Sequence, residues 1–110
     1  LMKEVVGRTA DFLVKKDGTR VAGVSLIENT LTRIRGIGQM QIIQESLDRF
    51  VINIVRGSGY EESSGQSLKR YFHDLFGNDI QVDLVPTAAI RPEASGKYRF
   101  SICKIEHQTL

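Results

Sequence analysis

Gln39-Met40-Gln41-Ile42-Ile43-Gln44-Glu45-Ser46-Leu47-Asp48-Arg49-Phe50-Val51-Ile52-Asn53-Ile54-Val55 lies at the middle of the chain, and its reading decides the fold. Gln39 to Glu45, with Met40, Ile42 and Ile43, reads as a strand. Ser46-Leu47-Asp48 turns the chain. Arg49 to Val55 reads as a second strand, with Phe50, Ile52 and Ile54 on one face and Val51, Asn53 and Val55 on the other. Two adjacent strands with one apolar face need a layer of helices to cover it.

The segments on either side supply that layer. Toward the N-terminus, Ser25-Leu26-Ile27-Glu28 has capping-box spacing. Val24, Ile27, Leu31 and Ile34 follow at helical intervals. Arg33 and Arg35 suit the negative end of a helix, and Gly36 suits its stop. A helix is expected over Ser25–Arg35. Before it, Phe12-Leu13-Val14 and Arg20-Val21-Ala22 flank Lys15-Lys16-Asp17-Gly18-Thr19, whose Asp-Gly pair signals a hairpin. Toward the C-terminus, Arg56-Gly57-Ser58-Gly59 ends the second strand as a flexible connection. A helix is expected from about Ser64 to Phe76, with Leu68, Tyr71, Phe72, Leu75 and Phe76 on one side and Gly77-Asn78 as its stop. Ile80, Val82 and Leu84 alternate in a strand closed by Pro86. The stretch from Ile90, with Pro92 and the Ser95-Gly96 pair, reads as a loop with Lys97 at its edge, Tyr98 to Lys104 as the last strand, and Glu106 to Leu110 as a frayed tail. The expected order is β-hairpin, α, β, β, α, β, β. This is an α+β fold: a small, largely antiparallel sheet with two helices on one face.

The chain has 110 residues, a formal net charge of +2 and interspersed acids and bases. One domain with one modest core fits that length. The near-balance of charge argues against nucleic acid or anionic membrane as a partner. No apolar run approaches the ~20 residues of a membrane span. The first residues show no signal peptide, and the start at Leu1 suggests a piece of a longer protein. The single cysteine, Cys103, suits a reducing compartment such as the cytoplasm.

Chemistry-bearing clusters are sparse. His73 sits among Lys69, Arg70 and Asp74 on a helix and is expected to face solvent; His107 is in the tail. Cys103 reads as a packed or half-buried strand residue rather than a nucleophile. No Cys/His spacing suggests a metal site. Tyr98 and Phe100 follow basic residues on a strand, as in a sheet-based RNA-binding module, but the core-face reading of these rings is stronger. Pro92-Glu93-Ala94-Ser95-Gly96-Lys97 is a loop with a lysine at its edge. Lys97 is either a solvated turn residue or a point charge on a Gly-hinged loop that can swing onto a partner. A phosphate-binding Walker loop is excluded, because Arg91 and Tyr98 occupy its required Gly and Ser/Thr places.

Two motifs carry a resemblance. Gly7-Arg8-Thr9-Ala10-Asp11, followed by the hairpin with Gly18 and Arg20, resembles the Gly-Arg-x-Asp-Asp hinge of the adenylate-forming superfamily. Pro92-x-x-Ser95-Gly96-Lys97 resembles that superfamily's C-terminal catalytic-lysine loop. The Lys-Asp-Gly-Thr-Arg-Val hairpin and the Ser-Gly-Lys-Tyr-Arg-Phe ending are most similar to the phenylacetate-CoA ligase branch, including its capsular polysaccharide biosynthesis-type members. The resemblance covers essentially the whole chain. It implies a mobile C-terminal domain, residues 1–110, of an AMP-forming acid–thiol ligase whose larger N-terminal domain is absent.

By that resemblance Lys97 is the catalytic lysine of acyl-adenylate formation, with Ser95 and Gly96 shaping its loop. Arg8 meets the nucleotide, Ala10 and Asp11 form the hinge, and Gly18 and Arg20 belong to the face that meets the thiol. ATP with Mg²⁺ and CoA are the implied cofactors of the full-length protein, with none held by this domain alone and no metal site within it. The implied partners are the N-terminal domain of the same chain, a carboxylic acid, ATP and CoA, in the cytoplasm, without nucleic acid or membrane. An isolated domain of this kind is expected to be inactive and can self-associate. The family usually has Asp where Ala10 stands, and alanine cannot hydrogen-bond a rotating backbone. That substitution keeps a non-catalytic relative, binding nucleotide or a partner, as an alternative.

Overall fold

The computed structural model describes residues 8–10, 12–90 and 98–105. In chain order the elements are β1 (Arg8–Ala10), β2 (Phe12–Val14), β3 (Arg20–Ala22), α1 (Gly23–Arg33), β4 (Ile37–Ser46), β5 (Arg49–Arg56), α2 (Glu62–Phe76), β6 (Gln81–Pro86) and β7 (Tyr98–Cys103). The α+β class and the expected order hold, with β1 added ahead of the hairpin.

The central hairpin forms as its alternation requires. Ser46 pairs with Arg49 around Leu47-Asp48, and the Ser46 hydroxyl donates to Asp48 Oδ1 at 2.8 Å. Met40, Ile42 and Gln44 on β4 stand opposite Ile54, Ile52 and Phe50 on β5, and all six are buried. Helix α2 lays Leu68, Phe72 and Phe76 on this face. Phe50 meets Phe72 edge-on at 5.5 Å between ring centroids and Phe76 at 4.6 Å. Ring pairs of this kind add about 0.5–1.5 kcal/mol beyond their buried area. Leu26, Ile27 and Ile34 of the α1 segment belong to the same core. On the opposite face Asn53 donates to Gln41 Oε1 at 2.9 Å, between half-buried Val51 and Val55.

The pairing is mixed rather than largely antiparallel. The five-stranded sheet runs β1-β7-β4-β5-β6. Only β4 and β5 are antiparallel; β1–β7, β4–β7 and β5–β6 are parallel. The cause is insertion of the last strand between the first and the fourth, a long-range parallel pairing with no local signature. The hairpin β2–β3 is a separate two-stranded sheet.

Helix α1 departs from expectation at both ends. It starts at Gly23 with Ala22 as N-cap and no side-chain cap, because β3 runs directly into it. Ser25 therefore falls within the first turn and cannot form the expected box with Glu28. The buried stripe is Gly23, Leu26, Ile27 and Thr30, while Val24 and Leu31 are 45% and 37% exposed. Thr30 tolerates full burial because its hydroxyl donates to the Leu26 carbonyl at 2.7 Å. Ile34, not Gly36, caps the end, with its N–H on Thr30 O.

Helix α2 begins at Glu62, two residues before its expected start, and gains a reciprocal capping box between Glu61 and Ser64. The Ser64 hydroxyl also donates to Arg35 O at 3.0 Å. The Gly57–Gly59 connection is packed rather than loose: Gly57 N–H donates to Gly36 O at 2.7 Å, and a Cβ on Gly36 would collide with the Tyr60 backbone. His73 is half-buried instead of solvent-facing. Its Nε2–H donates to the Ile80 carbonyl at 3.0 Å, joining the end of α2 to the start of β6.

Candidate functional site

The described residues among those singled out in the sequence fall on two parts of the fold. The first edge is the pairing of β1 with β7. Arg8 is registered opposite Tyr98, Thr9 opposite Arg99 and Ala10 opposite Ser101. Phe100 is left over as an extra residue at this step, where the register shifts. Phe100 packs against the core and Ser101 is fully buried, so this ring is not a free stacking platform. The strand that holds Arg8 and Ala10 thus lies beside the strand that begins at Tyr98, the residue after Lys97 in sequence. Asp11, Ser95, Gly96 and Lys97 lie outside the described residues, and only the backbone of Arg8 and Ala10 is described.

The second edge is the tip of β2–β3. Gly18 has φ +92°, and nothing lies within 4 Å of where its Cβ would be. Its N–H donates to Lys15 O at 2.9 Å, and Lys15 N–H donates to Thr19 O at 2.8 Å. The Asp17 carboxylate accepts the Thr19 N–H at 2.9 Å, and this bond holds its pKa below the ordinary 3.8. Arg20 opens β3 as an exposed residue paired with Val14.

Three side chains that the sequence reading passed over fix this edge. Gln44 is fully buried and bonds to both backbone groups of Val14. Lys16 and Asp79 form an ion pair that ties the hairpin tip to the turn between α2 and β6. The bond from the Lys16 ammonium lowers the Asp79 pKa from 3.8. Gln44 had a visible signal: it is the polar residue at an inward position of the Met40-x-Ile42-x-Gln44 alternation. Lys16 and Asp79 are 63 residues apart, and no local pattern links them.

Elsewhere an open groove of about 530 Å³ runs past Arg56, Tyr60, Gly65, Gln66, Lys69 and Leu84. It includes neither Gly18 nor Arg20. Among the described residues no three His, Cys, Asp or Glu side chains converge, and no helix is long and apolar enough to cross a membrane.

Comparison with known proteins adds a family. The family model of the CapK C-terminal domain matches residues 13–104. That span takes in Gly18, Arg20, Ser95, Gly96 and Lys97, and begins after Arg8, Ala10 and Asp11. A solved domain of phenylacetate-coenzyme A ligase from Bacteroides vulgatus is 21% identical, covering 83% of this chain and 93% of that one, with a TM-score of 0.49. No curated protein matches the chain.

Proposed function

The chain belongs to the CapK C-terminal domain family, and on that premise we propose that it is the small C-terminal domain of an AMP-forming acid–thiol ligase similar to phenylacetate-CoA ligase. A larger N-terminal domain of the same chain is its partner in this reading. That domain carries the acyl pocket and the site for ATP with Mg²⁺, and CoA is the thiol.

The observation that carries the reading is the parallel register of Arg8 with Tyr98. It makes the segment expected to meet the nucleotide a neighbour of the strand that follows Lys97. A cation delivered there suits the first half-reaction. The carboxylate oxygen attacks the α-phosphorus of ATP, pyrophosphate leaves, and negative charge accumulates between them. The Lys97 ammonium stabilises that charge, while Ser95 and Gly96 let the loop approach closely and Arg8 holds the nucleotide. In the second half-reaction the thiol displaces AMP from the acyl-adenylate. The hairpin edge with Gly18 and Arg20 then faces the thiol, after rotation about the Ala10–Asp11 hinge. Presenting one edge per step is how a small mobile domain serves both. Substrates of this kind, and a single cysteine in the sequence, fit a cytoplasmic protein.

In the full-length protein, Lys97→Ala is expected to lower ATP–pyrophosphate exchange by on the order of 10²–10³, the usual loss of one such electrostatic donor. Thioester formation from supplied acyl-adenylate is expected to persist. Unchanged exchange in the variant would remove Lys97 from the first step. Ala10 supports a second reading, a non-catalytic relative, which predicts nucleotide binding with no exchange on any aryl or short-chain acid.

A further inference from the structure

The hairpin β2–β3 has strands of three residues each and shares no ladder with the five-stranded sheet. A two-stranded hairpin alone is marginal in water. Leu13 is nevertheless fully buried, so the hairpin is firmly seated. One buried polar side chain bonds the hairpin to the five-stranded sheet. Gln44 projects from the core-facing side of β4 and is 0% exposed. Its Oε1 accepts the Val14 N–H at 2.9 Å, and its Nε2 donates to the Val14 carbonyl at 2.8 Å. A primary amide presents a donor and an acceptor side by side, as the peptide of a neighbouring strand does. Gln44 therefore supplies the ladder rung that the two sheets lack. Cys103 Sγ lies 3.6 Å from the same Oε1.

The position of Gln44 in the sheet gives this clamp its reach. Gln44 is registered opposite Cys103 of β7, and β7 begins one residue after Lys97. The hairpin is thus bonded to the strand next to the one that leads from the lysine loop. The Lys16–Asp79 pair holds the hairpin tip as well, but its side chains are 39% and 72% exposed, and pairs in such a setting add little.

We propose that Gln44 is a positioning residue for thiol transfer: through Val14 it locks the Gly18–Arg20 hairpin to the β4–β7 pair, so that hairpin and sheet turn as one body. The inference rests on the reading of the hairpin as the thiol-facing edge. Without the clamp the Val14 groups lose their partner, the hairpin loosens, and the second half-reaction loses an aligned surface. The first half-reaction depends on the β7 loop and is spared.

The test uses the full-length protein with Gln44→Met, which keeps volume and removes both bonds, and Asp79→Asn, which frees only the tip. Hydrogen exchange of the amides from Phe12 to Ala22 is expected to accelerate strongly in Gln44→Met and slightly in Asp79→Asn. ATP–pyrophosphate exchange should stay within about twofold, while thioester formation from supplied acyl-adenylate falls on the order of tenfold to a hundredfold. Equal loss of both half-reactions marks a merely structural role and overturns the proposal. So does an unchanged thioester step, or an unchanged hairpin exchange rate. If Gln44→Met does not fold, the Val14 amide of the unmodified protein decides: protection equal to that of the β4 amides supports the clamp, and exchange at the rate of a free peptide overturns it. Failure of the underlying ligase reading shows separately, as an unmodified protein that exchanges pyrophosphate with no acid.

Discussion

Gly18 and Gly36 share a φ of +92° and differ in everything around them. An alanine at Gly18 would enter open space, whereas one at Gly36 would run into the backbone of Gly59 and Tyr60. Left-handed backbone costs an L-residue about 1–2 kcal/mol, so that is the whole loss expected for Gly18→Ala. Gly36→Ala carries the same strain plus about 1–3 kcal/mol for forcing apart a closely packed crossing. Denaturant unfolding of the two variants should therefore separate them clearly, with Gly36→Ala the less stable. Equal midpoints would mean that the crossing yields without resistance. The sequence marks both glycines as turn residues and does not distinguish them, because the obstacle to a Cβ at Gly36 lies more than twenty positions downstream. Thr30 is absent from the expected Val24, Ile27, Leu31 and Ile34 stripe for a related reason, though it is fully buried. A polar residue is placed outside the core by periodicity, but its hydroxyl is satisfied within its own helix and the rest of the side chain packs as an apolar one.

At the scale of elements, legibility follows the range of the interactions that form each one. The β4–β5 hairpin is built from two strands adjacent in sequence and α2 from contacts within one helix, and alternation or helical spacing finds them. Helix α1 is displaced by two residues because its start is set by β3 running into it, not by the apparent Ser25 cap. The tether of the hairpin to the α2–β6 turn leaves no local trace at all. It does leave a pH signature. The bond from Lys16 holds the Asp79 pKa below 3.8 in the folded chain. A depressed carboxyl contributes stability above its unfolded value, and that contribution is lost as pH falls through the folded value. The tether is thus intact from neutral pH down to the region of 3.8 and is released only in more acid solution. An acid titration followed by the amide resonances of Lys15 to Thr19 should show a transition below that point, shifted in Lys16→Met. Identical titrations in the two proteins would exclude the pair as the tether.

For the whole molecule, the decisive feature is that the chain closes on itself: β1, near the first residues, pairs with β7, near the last. Contacts this distant in sequence form late and define the sheet order that no local pattern could supply. The closure also protects an edge. In the order β1-β7-β4-β5-β6, removal of β1 turns β7 into an outer strand with an unpaired row of peptide groups. Exposed edges of that kind recruit strands from other chains. At the opposite side β6 is blunted by Asp83 and Pro86, so the two edges are not equivalent. A chain lacking residues 1–10 is therefore expected to keep the helices and the β4–β5 hairpin, yet to associate through β7. Light scattering during size-exclusion chromatography should show a concentration-dependent increase in mass for the shortened chain relative to the full 110 residues. The added mass should fall when Arg99 is replaced by proline, which cannot donate to a new partner strand. Equal masses for both lengths at every concentration would show that β1 does not guard this edge.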